Sequence, residues 1–105
     1  TLRDYTFVKD TVAGIVSAIK YDRSNFEIIN LGNNQPVTLS QLVSAIEKVL
    51  GKKAILNKLP EQEGDVPVAC ADISKAQQLL DYNPATKLED GLTEFISWAL
   101  KNAIA

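Results

Sequence analysis

The sequence predicts a small α/β (α+β) domain of about four helices and two or three short strands. Three observations carry that expectation. Four segments place apolar residues on one helical face, two runs rich in β-formers lie between them, and breaks of Gly, Pro, Asn and Asp separate the pieces in the order helix, strand, helix, strand, helix, helix. No internal repeat, low-complexity run or linker interrupts the 105 residues, so one compact domain spanning 1–105 is expected.

Residues 1–9 read as extended. Asp10 then precedes Val12, Ile15, Val16 and Ile19, which share one face, and its carboxylate can accept from first-turn amides, so a helix is expected over 11–20. The polar break 21–25 leads to Phe26-Glu27-Ile28-Ile29-Asn30-Leu31, a predicted strand ended by Gly32-Asn33-Asn34, residues that tolerate positive φ. Thr38-Leu39-Ser40-Gln41 matches the reciprocal capping pattern. The stripe of Leu39, Leu42, Val43, Ile46, Val49 and Leu50 behind it closes at Gly51.

A second strand is predicted over 54–59, stopped by Pro60, followed by an extended loop over 60–71 with two prolines and a glycine. Asp72 is the predicted cap of a helix to Leu80 that turns Ile73, Ala76, Leu79 and Leu80 inward. Thr86-Lys87-Leu88-Glu89 fits a second capping box, opening a helix to about 102 with Leu88, Leu92, Phe95, Ile96 and Ala99 on its apolar face and Trp98 over one edge. An isolated pair of strands is marginal in water. The strand at 26–31 and the helix at 11–20 are therefore expected to expose apolar faces unless another chain or copy covers them, which makes self-association an expectation.

Composition removes several classes of function. With 46% apolar and 23% charged residues and a net charge of −2, the chain has ordinary soluble composition and no basic stripe to follow a phosphate backbone, so nucleic acid is not an expected partner. Apolar runs fall far short of the roughly 20 residues that span a bilayer. No charged-then-apolar leader opens the sequence, so a cytoplasmic protein with no membrane partner is expected. A single cysteine, Cys70, and no histidine exclude an internal disulfide and a structural zinc, and leave acids, lysines and tyrosines as the proton carriers. Cys70, inside Val68-Ala69-Cys70-Ala71, reads as a small buried thiol rather than a reactive one.

Five motifs follow in order: Arg3-Asp4-Tyr5-Thr6-Phe7-Val8, Asn30-Leu31-Gly32-Asn33, Thr38-Leu39 opening a helix, Gly64-Asp65-Val66-Pro67, and Ala71-Asp72-Ile73-Ser74-Lys75-Ala76. In that order the chain resembles the C-terminal part of the extended short-chain dehydrogenase/reductases, the NAD-dependent nucleotide-sugar epimerases and dehydratases. Within them it is most similar to UDP-glucuronate 4-epimerases. In that family an N-terminal Rossmann domain holds NAD and the catalytic Tyr-x-x-x-Lys, while the C-terminal portion grips the substrate's nucleotide. The resemblance therefore implies a UDP-sugar-binding portion without the Rossmann domain, with no cofactor site and no catalysis of its own.

Carried over residue by residue, the resemblance implies that Arg3 contacts the diphosphate, a task suited to the two parallel donors of a guanidinium. It implies that Asp65 accepts from the two ribose hydroxyls, with Gly64 allowing close backbone approach. Gln62 stands where some relatives place a second phosphate-binding arginine, and glutamine there fits the glucuronate-epimerase branch. On the residues alone, Arg3 reads first as a surface charge paired with Asp4 or another acid, while for Asp65 spacing does not choose between a site residue and a turn residue after Gly64.

Tyr5-Thr6-Phe7-Val8-Lys9 also fits Tyr-x-x-x-Lys, a pattern that needs helical spacing to bring its ends together. In an extended segment the two positions lie about 13 Å apart, so the match is read as chance. Lys9, Thr11 and Cys70 depart from the family's usual acidic, apolar and aromatic residues. The five glycines, at 14, 32, 51, 64 and 91, are too scattered for a phosphate-cradling turn.

Overall fold

The computed structural model describes residues 1–102 as four helices around a three-stranded sheet, the small α/β architecture expected. In chain order these are β1 (Leu2–Arg3), α1 (Val8–Ile19), β2 (Val37–Thr38), α2 (Leu39–Leu50), β3 (Val68–Ala69), α3 (Ser74–Leu80) and α4 (Leu88–Lys101). The sheet order is β2-β1-β3. β1 runs antiparallel to β2 and parallel to β3, with Leu2 opposite Thr38 and Val68, and Arg3 opposite Val37 and Ala69.

The helices correspond to the predicted ones, and the strands do not. Residues 26–31 and 54–59 form no ladder, although both are rich in β-formers. Propensity describes a side chain's fit to a pleated surface, and a ladder also needs a neighbouring backbone. Phe26 and Ile28 are exposed, as are Ile55, Leu56 and Leu59, while Ile29 and Leu31 pack on the core. The strands that do form are two residues each, and one of them, β3, lies in the segment expected to be loop. Its partner is secured just before the ladder by the Leu2 amide, which donates to the Pro67 carbonyl at 2.8 Å.

The α2 capping box is present as predicted. Thr38 Oγ1 accepts from the Gln41 amide at 3.1 Å, Gln41 Oε1 accepts from the Thr38 amide at 2.7 Å, and Gly51 ends the helix with φ of 69°. Two of the other three caps are corrected. α1 begins at Val8 rather than 11, so Asp10 sits within its first turn, and Asp10 Oδ2 accepts from the Thr86 amide at 3.2 Å. The bond uses the Thr86 backbone amide, and the second box does not form: α4 starts one position later, after Lys87, with no side-chain cap. Asp72 works close to its predicted role, its Oδ1 accepting from the Ser74 amide at 2.9 Å and the Ser74 hydroxyl at 2.6 Å.

The core joins Ile73, Ala76, Leu80 and Tyr82, with Tyr21, Ile29, Leu31, Ala71 and Leu79 packed around it. α1 lies against α3 at this cluster, and α2 packs on α4 beside it. Gly14 lets α1 approach, because a Cβ there would stand 2.8 Å from both methyls of Leu31. Cys70 is exposed, not buried as its apolar neighbours suggest, because β3 ends at Ala69 and leaves the thiol at the rim.

The molecule is a slab of 50 × 36 × 19 Å with a radius of gyration of 16.4 Å. A compact chain of this length has a radius of about 13 Å. Its accessible surface of 8283 Å² likewise exceeds the roughly 5800 Å² usual for a folded monomer of its mass. Much of the excess is apolar, since Val8, Val12, Ile15, Val16 and Ile19 form an exposed stripe along α1.

Candidate functional site

The parallel pairing of β1 with β3 brings together the two predicted anchors, which lie 62 positions apart. Arg3 Nη2 donates to Asp65 Oδ1 at 2.5 Å, and Arg3 Nη1 donates to the Leu2 carbonyl at 2.8 Å. The second bond ties the guanidinium's direction to its own strand. Arg3 is 28% and Asp65 46% exposed at the side chain, so water screens the pair, and such a bridge contributes roughly 0–1 kcal/mol. Both groups are therefore open to a ligand.

Asp65 is delivered by a tight turn. Its amide donates to the Gln62 carbonyl at 3.3 Å, and Gly64 takes φ of 83°, the left-handed value required at the third position of a type II turn. Gln62 is thus held at the far end of the same turn, exposed beside Asp65. Arg3 and Asp65 thus meet at one rim, with Gln62 three residues before Asp65 at the start of its turn.

One residue behind this rim escaped the sequence reading. Asp4 follows Arg3, and its carboxylate accepts from three successive amides, Oδ2 from Asn33 at 2.8 Å and Asn34 at 2.9 Å, and Oδ1 from Gln35 at 3.1 Å. Gly32 makes this possible, because a Cβ there would lie 2.8 Å from Asp4 Oδ2 and 3.1 Å from the Ala71 Cβ. The Gly32 carbonyl in turn accepts from the Tyr82 hydroxyl at 2.6 Å. The adjacent Arg-Asp and Gly-Asn pairs were visible in the sequence, but nothing local showed that they meet.

Tyr5 and Lys9 do not form a proton relay. Tyr5 precedes α1, and Lys9 Nζ donates to Glu94 Oε1 at 3.2 Å. Both line an open cleft of about 1010 Å³ between the start of α1 and the face of α4 that carries Phe95 and Trp98. Those two rings meet edge to face, 6.2 Å between centroids at 71°.

The glycines are spent on packing and turns. Gly14, Gly32 and Gly91 admit Leu31, Asp4 and Phe7, while Gly51 and Gly64 take positive φ at a helix end and a turn. Among the described residues no group of three or more acids or thiols gathers as metal ligands, and no helix is long and apolar enough to cross a membrane.

Known proteins resemble this arrangement. The profile of the family described as GDP-mannose 4,6 dehydratase matches residues 1–95. An uncharacterized protein of Methanocaldococcus jannaschii is 48% identical over 95% of this chain and 30% of its own length. The UDP-glucuronate 4-epimerase of Thermodesulfobacterium geofontis is 37% identical over 95% of this chain and 31% of its own. Among solved structures, a variant of the UDP-glucuronic acid 4-epimerase of Bacillus cereus, bound to NAD and a fluorinated UDP-glucuronic acid, superposes with a TM-score of 0.88. It is 33% identical, over 96% of this chain and 32% of that one. The chain thus spans about a third of the length of these relatives. On these matches the chain belongs to the GDP-mannose 4,6 dehydratase family, within the extended short-chain dehydrogenase/reductases that include the NAD-dependent nucleotide-sugar epimerases.

Proposed function

We propose that residues 1–105 are the C-terminal, nucleotide-sugar-binding portion of a cytoplasmic NAD-dependent UDP-sugar epimerase, an isomerase in which this portion is not catalytic alone. The observation that carries the reading is the convergence of Arg3 and Asp65, brought into contact by the β1–β3 pairing. Arg3 exchanges the Asp65 oxygen for oxygens of the diphosphate. Asp65, released, accepts from the ribose hydroxyls, and Gln62 donates its amide to the same phosphates. Because the exposed ion pair contributes little, the exchange costs little.

Anchoring at the phosphates and ribose leaves the sugar end free to turn, as inversion at a ring carbon requires. NAD belongs to residues outside this chain in this reading, since the glycines here are committed elsewhere. Titration with UDP followed by backbone NMR tests the proposal. Signals at residues 2–4 and 62–69 shift in the wild type, and Arg3→Ala and Asp65→Ala each need a higher UDP concentration to produce the response. An unchanged response in both variants removes these residues from the site. Affinity is low, because the rim is only one side of a pocket and preorganisation is incomplete.

A second reading, a noncatalytic interaction module derived from the same family, is favoured by the apolar stripe that α1 leaves exposed. Absence of any UDP response, together with self-association, supports that alternative.

A further inference from the structure

We infer that Asp4 is a positioning residue for Arg3, holding the strand that aims the guanidinium; the inference rests on the UDP-sugar reading of the rim. β1 is two residues long, so few ladder bonds fix it. The guanidinium's direction depends on that strand through its bond to the Leu2 carbonyl. Directly after the strand, the Asp4 carboxylate gathers the amides of Asn33, Asn34 and Gln35, and two residues further on the same segment becomes β2 and pairs with Arg3 through Val37. Asp4 thereby closes a ring: Arg3 to Val37 across the ladder, Val37 back along the chain to Gln35, Gln35 to Asp4, and Asp4 to Arg3.

The far side of the ring is anchored independently. Tyr82 Oη donates to the Gly32 carbonyl from the buried core, and Asn34 Oδ1 lies 3.8 Å from Cys70 Sγ, next to the strand that delivers Asp65. Successive side chains of a strand point to opposite faces, so Arg3 can address the ligand rim while Asp4 addresses the loop. A carboxylate meets this need better than an amide. Its two oxygens accept from three donors without presenting a hydrogen of their own.

The test compares wild type, Asp4→Asn, Arg3→Ala and the double variant, with UDP as the probe and the Arg3 Nε–Hε NMR signal read in the ligand-free protein. In Asp4→Asn the Arg3 signal broadens or moves, amide exchange at 33–35 accelerates, and UDP binds about tenfold more weakly. The double variant binds no more weakly than Arg3→Ala, because Asp4 acts through Arg3. A merely structural Asp4 gives additive losses, and that result overturns the inference. So does an Arg3 signal unchanged in Asp4→Asn.

If the wild type fails to bind UDP, the reading of the rim fails, while the ligand-free Arg3 signal still decides the role of Asp4. Gly32→Ala disturbs the ring from its other side and keeps the carboxylate. Unfolding of both it and Asp4→Asn also counts against positioning, since the ring then serves the fold alone.

Discussion

The Tyr82 hydroxyl donates to the carbonyl of Gly32 at 2.6 Å inside the core, linking the end of α3 to the loop that Asp4 clamps. One buried side chain thus supports both the packing of α1 on α3 and the floor of the candidate site. Tyr82→Phe keeps the ring and leaves the carbonyl without this partner, and the loss of such a bond costs about 1–3 kcal/mol. Urea denaturation measures it, with a lower midpoint and an unchanged slope.

The same hydroxyl sets an alkaline limit. Burial, and then the nearby carboxylates of Asp10 and Asp4, hold the Tyr82 proton above the ordinary tyrosine value of 10.0. Below that value Tyr82 is protonated in both states and its contribution is complete. Above it the unfolded chain ionises first, so this part of the stability declines as pH rises through the raised folded value. Thermal midpoints followed from about pH 9 upward fall more steeply in wild type than in Tyr82→Phe.

The α2 cap offers a local control away from the rim. Thr38→Ala removes the hydroxyl that accepts from Gln41 and lowers stability by about 1 kcal/mol, read as a shift in denaturation midpoint. Gln41→Ala, which removes the return bond to the Thr38 amide, has a similar but smaller effect.

How much of this was legible depends on how far apart the interacting residues lie. The α2 box spans four consecutive positions, Thr38 to Gln41, and the pattern that names it is the structure that forms. The inward residues of α3 were equally plain, with Ile73, Ala76 and Leu80 buried as their spacing required. Asp10 and Thr86 each fitted a local cap, but the Asp10 carboxylate instead accepts from the Thr86 amide 76 positions away. The strands failed for a related reason. Residues 26–31 have the composition of a strand and no neighbour to pair with, whereas β1, β2 and β3 are too short to show alternation. Arg3, Gln62 and Asp65 came from a family resemblance, and Asp4 was missed because its three donors lie 29–31 residues away.

The exposed stripe on α1 calls for cover. Burying Val12, Ile15, Val16 and Ile19 against another apolar face offers roughly 25 cal/mol for each Å² removed from water. The isolated chain therefore self-associates with rising concentration and binds an apolar dye. Val12→Lys with Val16→Lys abolishes both, as read by sedimentation and fluorescence. A dispersed monomer that ignores the dye contradicts this expectation.

Whether Arg3 and Asp65 grip one nucleotide, at its diphosphate and its ribose, is decided by a comparison of ligand preferences. Affinities for UDP, uridine and 2′,3′-dideoxyuridine are measured by NMR titration in wild type, Arg3→Ala and Asp65→Ala. Arg3→Ala is expected to erase the preference for UDP over uridine, and Asp65→Ala the preference for uridine over its dideoxy analogue. Preferences that persist unchanged in both variants exclude Arg3 and Asp65 as the nucleotide's anchors.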